Sequence, residues 1–215
     1  MNSLLPKENL EKIKYVGFDM DGTLYDEFQF ISQVYKPISD YLSYCISKSA
    51  DEIYSVLLKR WKEKGSSYPF IFDEVLRSAV DNEGKRRDVV SNCLNIYRTY
   101  QPKLKLAAYV KETLDELSSK YSLFLITDGN YELQRSKFAA LSLNIWFDEE
   151  NCFFTGLYGK EFYKPSNNIL EKIPIFQNTK NPYEEVLFFG DRDVDCEFAK
   201  NANIQFVKVY EMRRC

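Results

Sequence analysis

The chain of 215 residues is 45% hydrophobic and 28% charged, which suffices for one large domain or a core with an insertion and argues against disorder. Its net charge of −3 speaks against a nucleic-acid partner, as does its longest basic block, the triplet Lys85-Arg86-Arg87; Lys59-Arg60 and Arg213-Arg214 are pairs that solvated helix ends or loops explain. No apolar run approaches a membrane span, and Met1 to Glu11 lacks the apolar core of a secretory leader.

Five scattered cysteines (Cys45, Cys93, Cys152, Cys196, Cys215) contain no C-x-x-C. They argue against a disulfide framework and a zinc site and fit a reducing cytoplasm. The chain has no histidine. Ser-His-Asp and Cys-His catalysis are therefore excluded, and acid–base work falls to carboxylates, Lys, Tyr or Cys.

In chain order, Ile13 to Phe18 is an apolar run with the β-formers Val16 and Phe18, read as a buried strand. It ends in Asp19-Met20-Asp21-Gly22-Thr23. If extended geometry persists through Met20, Asp19 and Asp21 share a face. Two carboxylates crowded there repel, which points to a metal, a shared proton, or both. Gly22 allows a sharp turn and Thr23 adds a hydroxyl. Taken alone, these residues read equally as a strand closed by an Asp-Gly turn.

After Asp26 the period becomes helical. Ile31, Val34, Tyr35, Ile38, Tyr41, Leu42, Cys45 and Ile46 follow it, with a kink or break expected at Pro37. Ser49 and Glu52 form a capping box for a helix to about Trp61. Gly65 to Pro69 is a loop. Phe72, Val75, Leu76, Ala79 and Val80 make another helical face, ended by Asn82 to Gly84. Val89, Val90, Cys93, Leu94, Tyr97 and Tyr100 make a fourth, which stops before Pro102. This block separates the first strand from the others. It reads as an inserted all-helical cap, 27–101, in a core built from 1–26 and 102–215.

An α/β pattern then resumes. Val110, Leu114 and Leu117 mark a helix. Tyr121 to Ile126 is a strand that runs into Thr127-Asp128-Gly129-Asn130. Leu133, Lys137, Phe138 and Leu141 mark a helix with Asn130 as N-cap. Cys152 to Phe154 is a short strand, and Lys164-Pro165-Ser166 precedes a helix through about Ile173. Val186 to Phe189 is a strand ending in Gly190-Asp191-Arg192-Asp193-Val194-Asp195, followed by a helix to about Asn201. Gln205 to Val209 is the last strand. The alternation predicts an α/β, Rossmann-like three-layer core with a parallel sheet. Such sheets bind ligands beyond the C-terminal ends of their strands. Parallel strands would bring Asp19/Asp21, Thr127/Asp128 and Asp191/Asp193/Asp195 to one edge.

The string Asp19-Met20-Asp21-Gly22-Thr23-Leu24 resembles the first signature of the haloacid dehalogenase-like phosphohydrolases. Thr127 resembles the second, Lys164-Pro165 the third, and Gly190-Asp191-x-x-x-Asp195 the fourth. Ala199 to Ile204 resembles the family's next helix, with Asn203 where a glycine is usual. The resemblance covers about Ile13 to Asp26 and Leu104 to Val209; the helical block matches a C1-type cap in position and helical content only.

This resemblance implies phosphoryl transfer through an aspartyl-phosphate. Asp19 would be the nucleophile and Asp21 the acid and base. Mg²⁺ would be held by Asp19, the backbone carbonyl of Asp21, and Asp191. Asp195 would orient the ion's waters or Lys164. Thr127 and the backbone of Gly129 and Asn130 would hold phosphate oxygens, and Lys164 would neutralise charge. Asp193 reads as a loop or cap residue. Asp128, where the family often has asparagine, is expected to alter hydrogen bonds at the phosphate site.

Asp21 argues against dehalogenation, because family members that cleave carbon–halogen bonds lack that carboxylate. The missing histidine argues against a sugar phosphomutase. A phosphonatase needs a cap lysine, and nothing singles out Lys48, Lys59 or Lys62. The expected function is Mg²⁺-dependent hydrolysis of a small phosphate monoester: a sugar phosphate, a phosphoglycolate-like acid or a nucleoside monophosphate. The alternative is a catalytically silent phosphometabolite-binding module of the same fold. Neither the particular substrate nor the oligomeric state is legible in the sequence.

Overall fold

The computed structural model describes residues 10–77 and 79–209. The Arg213-Arg214 pair, Cys215 and most of the Met1 to Glu11 stretch lie outside the described residues.

Five strands form one sheet: β1 (Tyr15–Phe18), β2 (Ser122–Thr127), β3 (Cys152–Phe154), β4 (Val186–Gly190) and β5 (Gln205–Lys208). Their order is β3-β2-β1-β4-β5, and every neighbouring pair is parallel. Successive residues of β2 from Leu123 onward and all of β4 are buried, so both faces of the sheet are covered there. The chain leaves β1 toward β2 on one side and reaches β4 on the other. The topological switch therefore lies between β1 and β4, where a parallel sheet opens its crevice. Phe18 stands opposite both Leu125 and Phe189. The N–H of Asp19 continues that register by donating to Phe189 O at 2.9 Å.

The chain divides into two compact units, 1–27 with 104–215, and 28–103. Among the described residues the regular elements of the smaller are all helices: α1 (Phe28–Cys45), α2 (Ala50–Lys64), α3 (Ile71–Arg77) and α4 (Glu83–Thr99). Of the kink or break expected at Pro37, the break does not occur: helix α1 runs through it. A proline in a helix interior costs about 3 kcal/mol. Phe30, Ile31, Val34, Ile38 and Leu42 bury fully on both sides of it, and each such side chain contributes about 1.5–3 kcal/mol. Ser49 and Glu52 make the capping box of α2. Asn82 opens α4 instead of closing α3, accepting from Lys85 N at 2.9 Å.

In the sheet unit lie α5 (Ala108–Ser118), α6 (Tyr131–Ala140), the short α7 (Pro174–Asn178) and α8 (Pro182–Glu185), and α9 (Asp193–Asn201). The helix expected through Ile173 is a 3-10 turn, Asn168–Lys172, and α7 starts anew at Pro174. Pro174 brings no N–H to extend the preceding turn. Asn203, in the place of the family glycine, adopts φ 51°, a left-handed conformation that asparagine tolerates. Phe124, Phe188 and Phe198 anchor the core, with ring centroids 6.2 and 5.3 Å apart in succession. Among the described residues no helix is long and apolar enough to cross a membrane. Cys45, Cys93, Cys152 and Cys196 are free thiols.

Gly17 leaves room for the Phe124 ring; a Cβ there would sit 2.2 Å from its Cζ. Gly17→Ala is expected to cost about 1–3 kcal/mol through overpacking, read as a lower urea midpoint at unchanged m-value.

Candidate active site

The site is built around a buried cation. Lys164 Nζ lies 2.6 Å from Asp19 Oδ1 and 2.6 Å from Asp195 Oδ1, and all three residues are buried. Ile126 O accepts a longer bond from the same ammonium at 3.4 Å, and the Phe188 ring centroid lies 5.6 Å away. Asp195 Oδ2 accepts from Arg192 N at 3.0 Å, which caps the first turn of α9. That turn can pack tightly because Gly190 has no side chain: a Cβ would fall 2.4 Å from Asp195 Cβ. Oxygens of Asp19, Asp191 and Asp195 come within 4.8 Å of one another.

Asp191 rests against the turn that follows β1. Gly22 there has φ +80°, and a Cβ would fall 2.5 Å from Asp191 Oδ2. Glycine thus supplies both the conformation and the space. Burial pushes the Asp19 carboxyl up to about 8; Lys164 opposes that shift and Asp195 adds to it. Burial works against the Lys164 charge, but Asp19, Asp195 and Asp128 outweigh it and raise the ammonium. Arg192, which sequence reasoning passed over, follows the same logic: burial lowers it, and Asp19, Asp195, Glu27 and Asp191 raise it further.

The condition for Asp19 and Asp21 to share a face, extended geometry through Met20, is not met. The strand stops at Phe18, and the chain turns, with Leu24 N donating to Met20 O at 3.0 Å and Gly22 N to Tyr25 O at 3.1 Å. Asp21 instead meets its own cation, Lys137, at 2.8 Å. Gln134 Nε2 donates to its Oδ2 at 2.7 Å, and the Tyr25 hydroxyl donates to its Oδ1. Burial alone would raise the Asp21 carboxyl, but Lys137, Tyr25 and Gln134 outweigh it and hold it below the usual carboxylate range. Asp21 therefore rests as an ionised acceptor. The missed signal was Lys137 itself, a cation placed among the apolar positions Leu133 and Phe138 of α6 and its C-cap Leu141.

At the end of β2, Thr127 is buried and its Oγ1 accepts from Gln134 Nε2 at 2.6 Å. Asn130 caps α6, accepting from Leu133 N at 3.1 Å. Gly129 O accepts from the Tyr163 hydroxyl at 3.0 Å, and a Cβ on Gly156 would lie 1.9 Å from that same oxygen. Asp128 spends its carboxylate on local structure, accepting from Thr155 Oγ1 at 2.8 Å and Lys164 N at 3.3 Å. Asp193 stands apart: it is exposed and pairs with Lys208 at 2.5 Å.

The model of the haloacid dehalogenase-like hydrolases matches residues 16–209. The chain belongs to this family. A glyceraldehyde 3-phosphate phosphatase of Pyrococcus furiosus is 30% identical over 201 residues, covering 92% of this chain and 81% of that one. One of Methanocaldococcus jannaschii is 26% identical over 203 residues, covering 92% and 85%. Among solved structures, a hydrolase of this superfamily, subfamily IA, from Geobacter sulfurreducens aligns with a TM-score of 0.68 at 21% identity, covering 93% of this chain and 88% of that one. For this haloacid dehalogenase-like hydrolase, the Asp19–Lys164–Asp195 cluster occupies the edge where strands β1 and β4 end.

Lys164→Met would strand the carboxylates of Asp19 and Asp195 in a buried place. Breaking such a pair costs about 3–5 kcal/mol, measured by urea unfolding above about pH 9, where Asp19 is ionised, without divalent ions. The penalty should shrink as pH falls through 8 and Asp19, already raised, takes up a proton.

Proposed function

We propose that the chain is a Mg²⁺-dependent phosphomonoester hydrolase that works through an aspartyl-phosphate on Asp19. The observation that carries this reading is the buried Asp19 carboxylate at the end of the central strand, held through one oxygen by Lys164 and lying beside Asp191. The archaeal relatives are named glyceraldehyde 3-phosphate phosphatases. That name supports a small sugar phosphate as the substrate class and makes glyceraldehyde 3-phosphate the first compound to test. The helical unit, inserted in the chain between β1 and β2, is read as a C1-type cap. A cavity of about 630 Å³ within that unit is lined by Asp51, Glu52 and Glu74 against one lysine, Lys48. Its negative balance disfavours it as the phosphate site.

The donor set fits a hard divalent cation, being oxygen only. Asp195 has both oxygens engaged, by Lys164 and by Arg192 N–H. The family resemblance implies Asp19, Asp191 and the backbone carbonyl of Asp21 as the direct ligands, with Asp195 acting through Lys164. When bound, Mg²⁺ would neutralise charge on the phosphate and on Asp19.

Lys164 holds Asp19 Oδ1 and leaves Oδ2, with Thr23 Oγ1 3.4 Å away, as the attacking oxygen. A bond from that oxygen to phosphorus forms as the ester P–O bond breaks, and the leaving oxygen takes a proton from Asp21. Asp21 then removes a proton from water as the water oxygen bonds to phosphorus and the Asp19–phosphorus bond breaks. Inorganic phosphate and a free Asp19 result. The resting, ionised Asp21 suits the second step. A phosphate dianion beside it disfavours that charge and promotes the proton uptake the first step needs. Because Thr127 Oγ1 accepts from Gln134, its own proton is available to a phosphate oxygen. Phosphoryl transfer offers little covalent work to the protein, so positioning and charge neutralisation of this kind dominate its catalysis.

Hydrolysis of p-nitrophenyl phosphate and of a panel of phosphorylated metabolites should require Mg²⁺ and stop with EDTA. Asp19→Asn should lower kcat by about 10³-fold or more. EDTA-resistant turnover, or full activity in that variant, would contradict the reading; binding without turnover across the panel would favour a silent module. Because Asp19 carries a carboxyl raised to about 8, Mg²⁺ binding should release a proton and weaken as pH drops from 8 toward 6. Calorimetry in two buffers of different ionisation heat measures both.

A further inference from the structure

Asp21 is gripped from one face of a helix. Gln134 and Lys137 stand three positions apart on α6, which sets them side by side, and both are buried. Lys137 holds Asp21 Oδ1 at 2.8 Å and Gln134 holds Oδ2 at 2.7 Å, so both carboxylate oxygens are oriented from α6. The same Gln134 nitrogen also donates to Thr127 Oγ1 at 2.6 Å. Burying a lysine against an aspartate adds little stability over apolar packing, and α6 already buries Leu133 and Phe138. Docking the helix therefore does not explain the arrangement.

We propose that Lys137 and Gln134 are positioning residues for proton transfer. Lys137 sets the direction of the Asp21 carboxyl group. Gln134 ties that direction to the Thr127 hydroxyl, so the group that moves the proton and the group that holds the phosphate keep one spacing. The inference rests on the phosphomonoesterase reading, in which Asp21 serves the leaving oxygen and the water.

The test compares kcat/KM, which covers the steps through aspartyl-phosphate formation, on two esters. One is the best alkyl phosphate of the panel, whose leaving oxygen needs a proton; the other is p-nitrophenyl phosphate, whose phenolate departs without one. Lys137→Met should lose about 10²-fold on the alkyl ester and less than about threefold on the aryl ester, since general-acid assistance contributes about 10²–10⁴-fold. In an Asp21→Asn background the same change should cost nothing further on the alkyl ester. Gln134→Leu should in addition raise KM for both esters by loosening Thr127. Equal losses on both esters, or an undiminished loss in the Asp21→Asn background, would overturn the proposal. Circular dichroism checks folding. If Lys137→Met does not fold, Lys137→Arg carries the comparison: a loss confined to the alkyl ester supports the proposal, and wild-type values or equal losses reject it. Wild-type protein inert on every ester would sink the phosphatase reading together with this inference, whereas an active wild type with an unselective Lys137 variant sinks the inference alone.

Discussion

Lys164 brings its ammonium into a place where water does not reach, and two carboxylates close on it from different parts of the chain. The end of β1, the loop before Pro165 and the first turn of α9 all meet at that one charge. Burial drives the Asp19 carboxyl toward its neutral form, and Lys164 opposes that drive. Burying these charges is a poor route to stability: apolar replacements of similar volume are often as good or better. The cluster is better understood as chemistry that the fold tolerates, and the apolar floor of Phe124, Phe188 and Phe198 supplies the burial that offsets it.

Close approach of backbone is the second condition. The carboxylate of Asp191 lies where a Cβ on Gly22 would be, Asp195 where one on Gly190 would be, and the carbonyl of Gly129 where one on Gly156 would be. The turn after β1 thus meets the loop after β4, and the loop after β2 meets the segment after β3, only because Gly22 and Gly156 carry no side chain, while Gly190 gives the first turn of α9 the same room locally. The parallel register does the rest, since Phe18 is level with both Leu125 and Phe189. Residues just beyond those three positions must emerge together.

Much of this was legible from local pattern. The apolar runs that became β1, β2, β3, β4 and β5 were readable because buried parallel strands are short and nearly continuous in hydrophobicity. The capping box at Ser49 and the Asn130 cap were readable because each is completed within three residues. Other features resisted. Pro37 argued locally for a kink or a break, and the buried stripe on either side of it decided against the break. Asn82 looked like a terminator because a single residue can end one helix or begin the next, and the neighbouring fold chooses. The partners of Asp128, Thr155 Oγ1 and Lys164 N, were not readable because they lie 27 and 36 positions away.

By itself the sequence determined which runs are strands, which are helices, and that three strand ends carry acids or hydroxyls, because period, run length and capping are properties of neighbouring residues. The family resemblance implied Lys164 for the charge on Asp19, but tertiary structure alone decided that Asp21 meets Lys137. Asp19 went to Lys164 across 145 positions and Asp21 to Lys137 across 116. Those choices follow from the turn the chain makes after Phe18 and from the register between strands far apart in the chain, and neither is encoded in any short stretch.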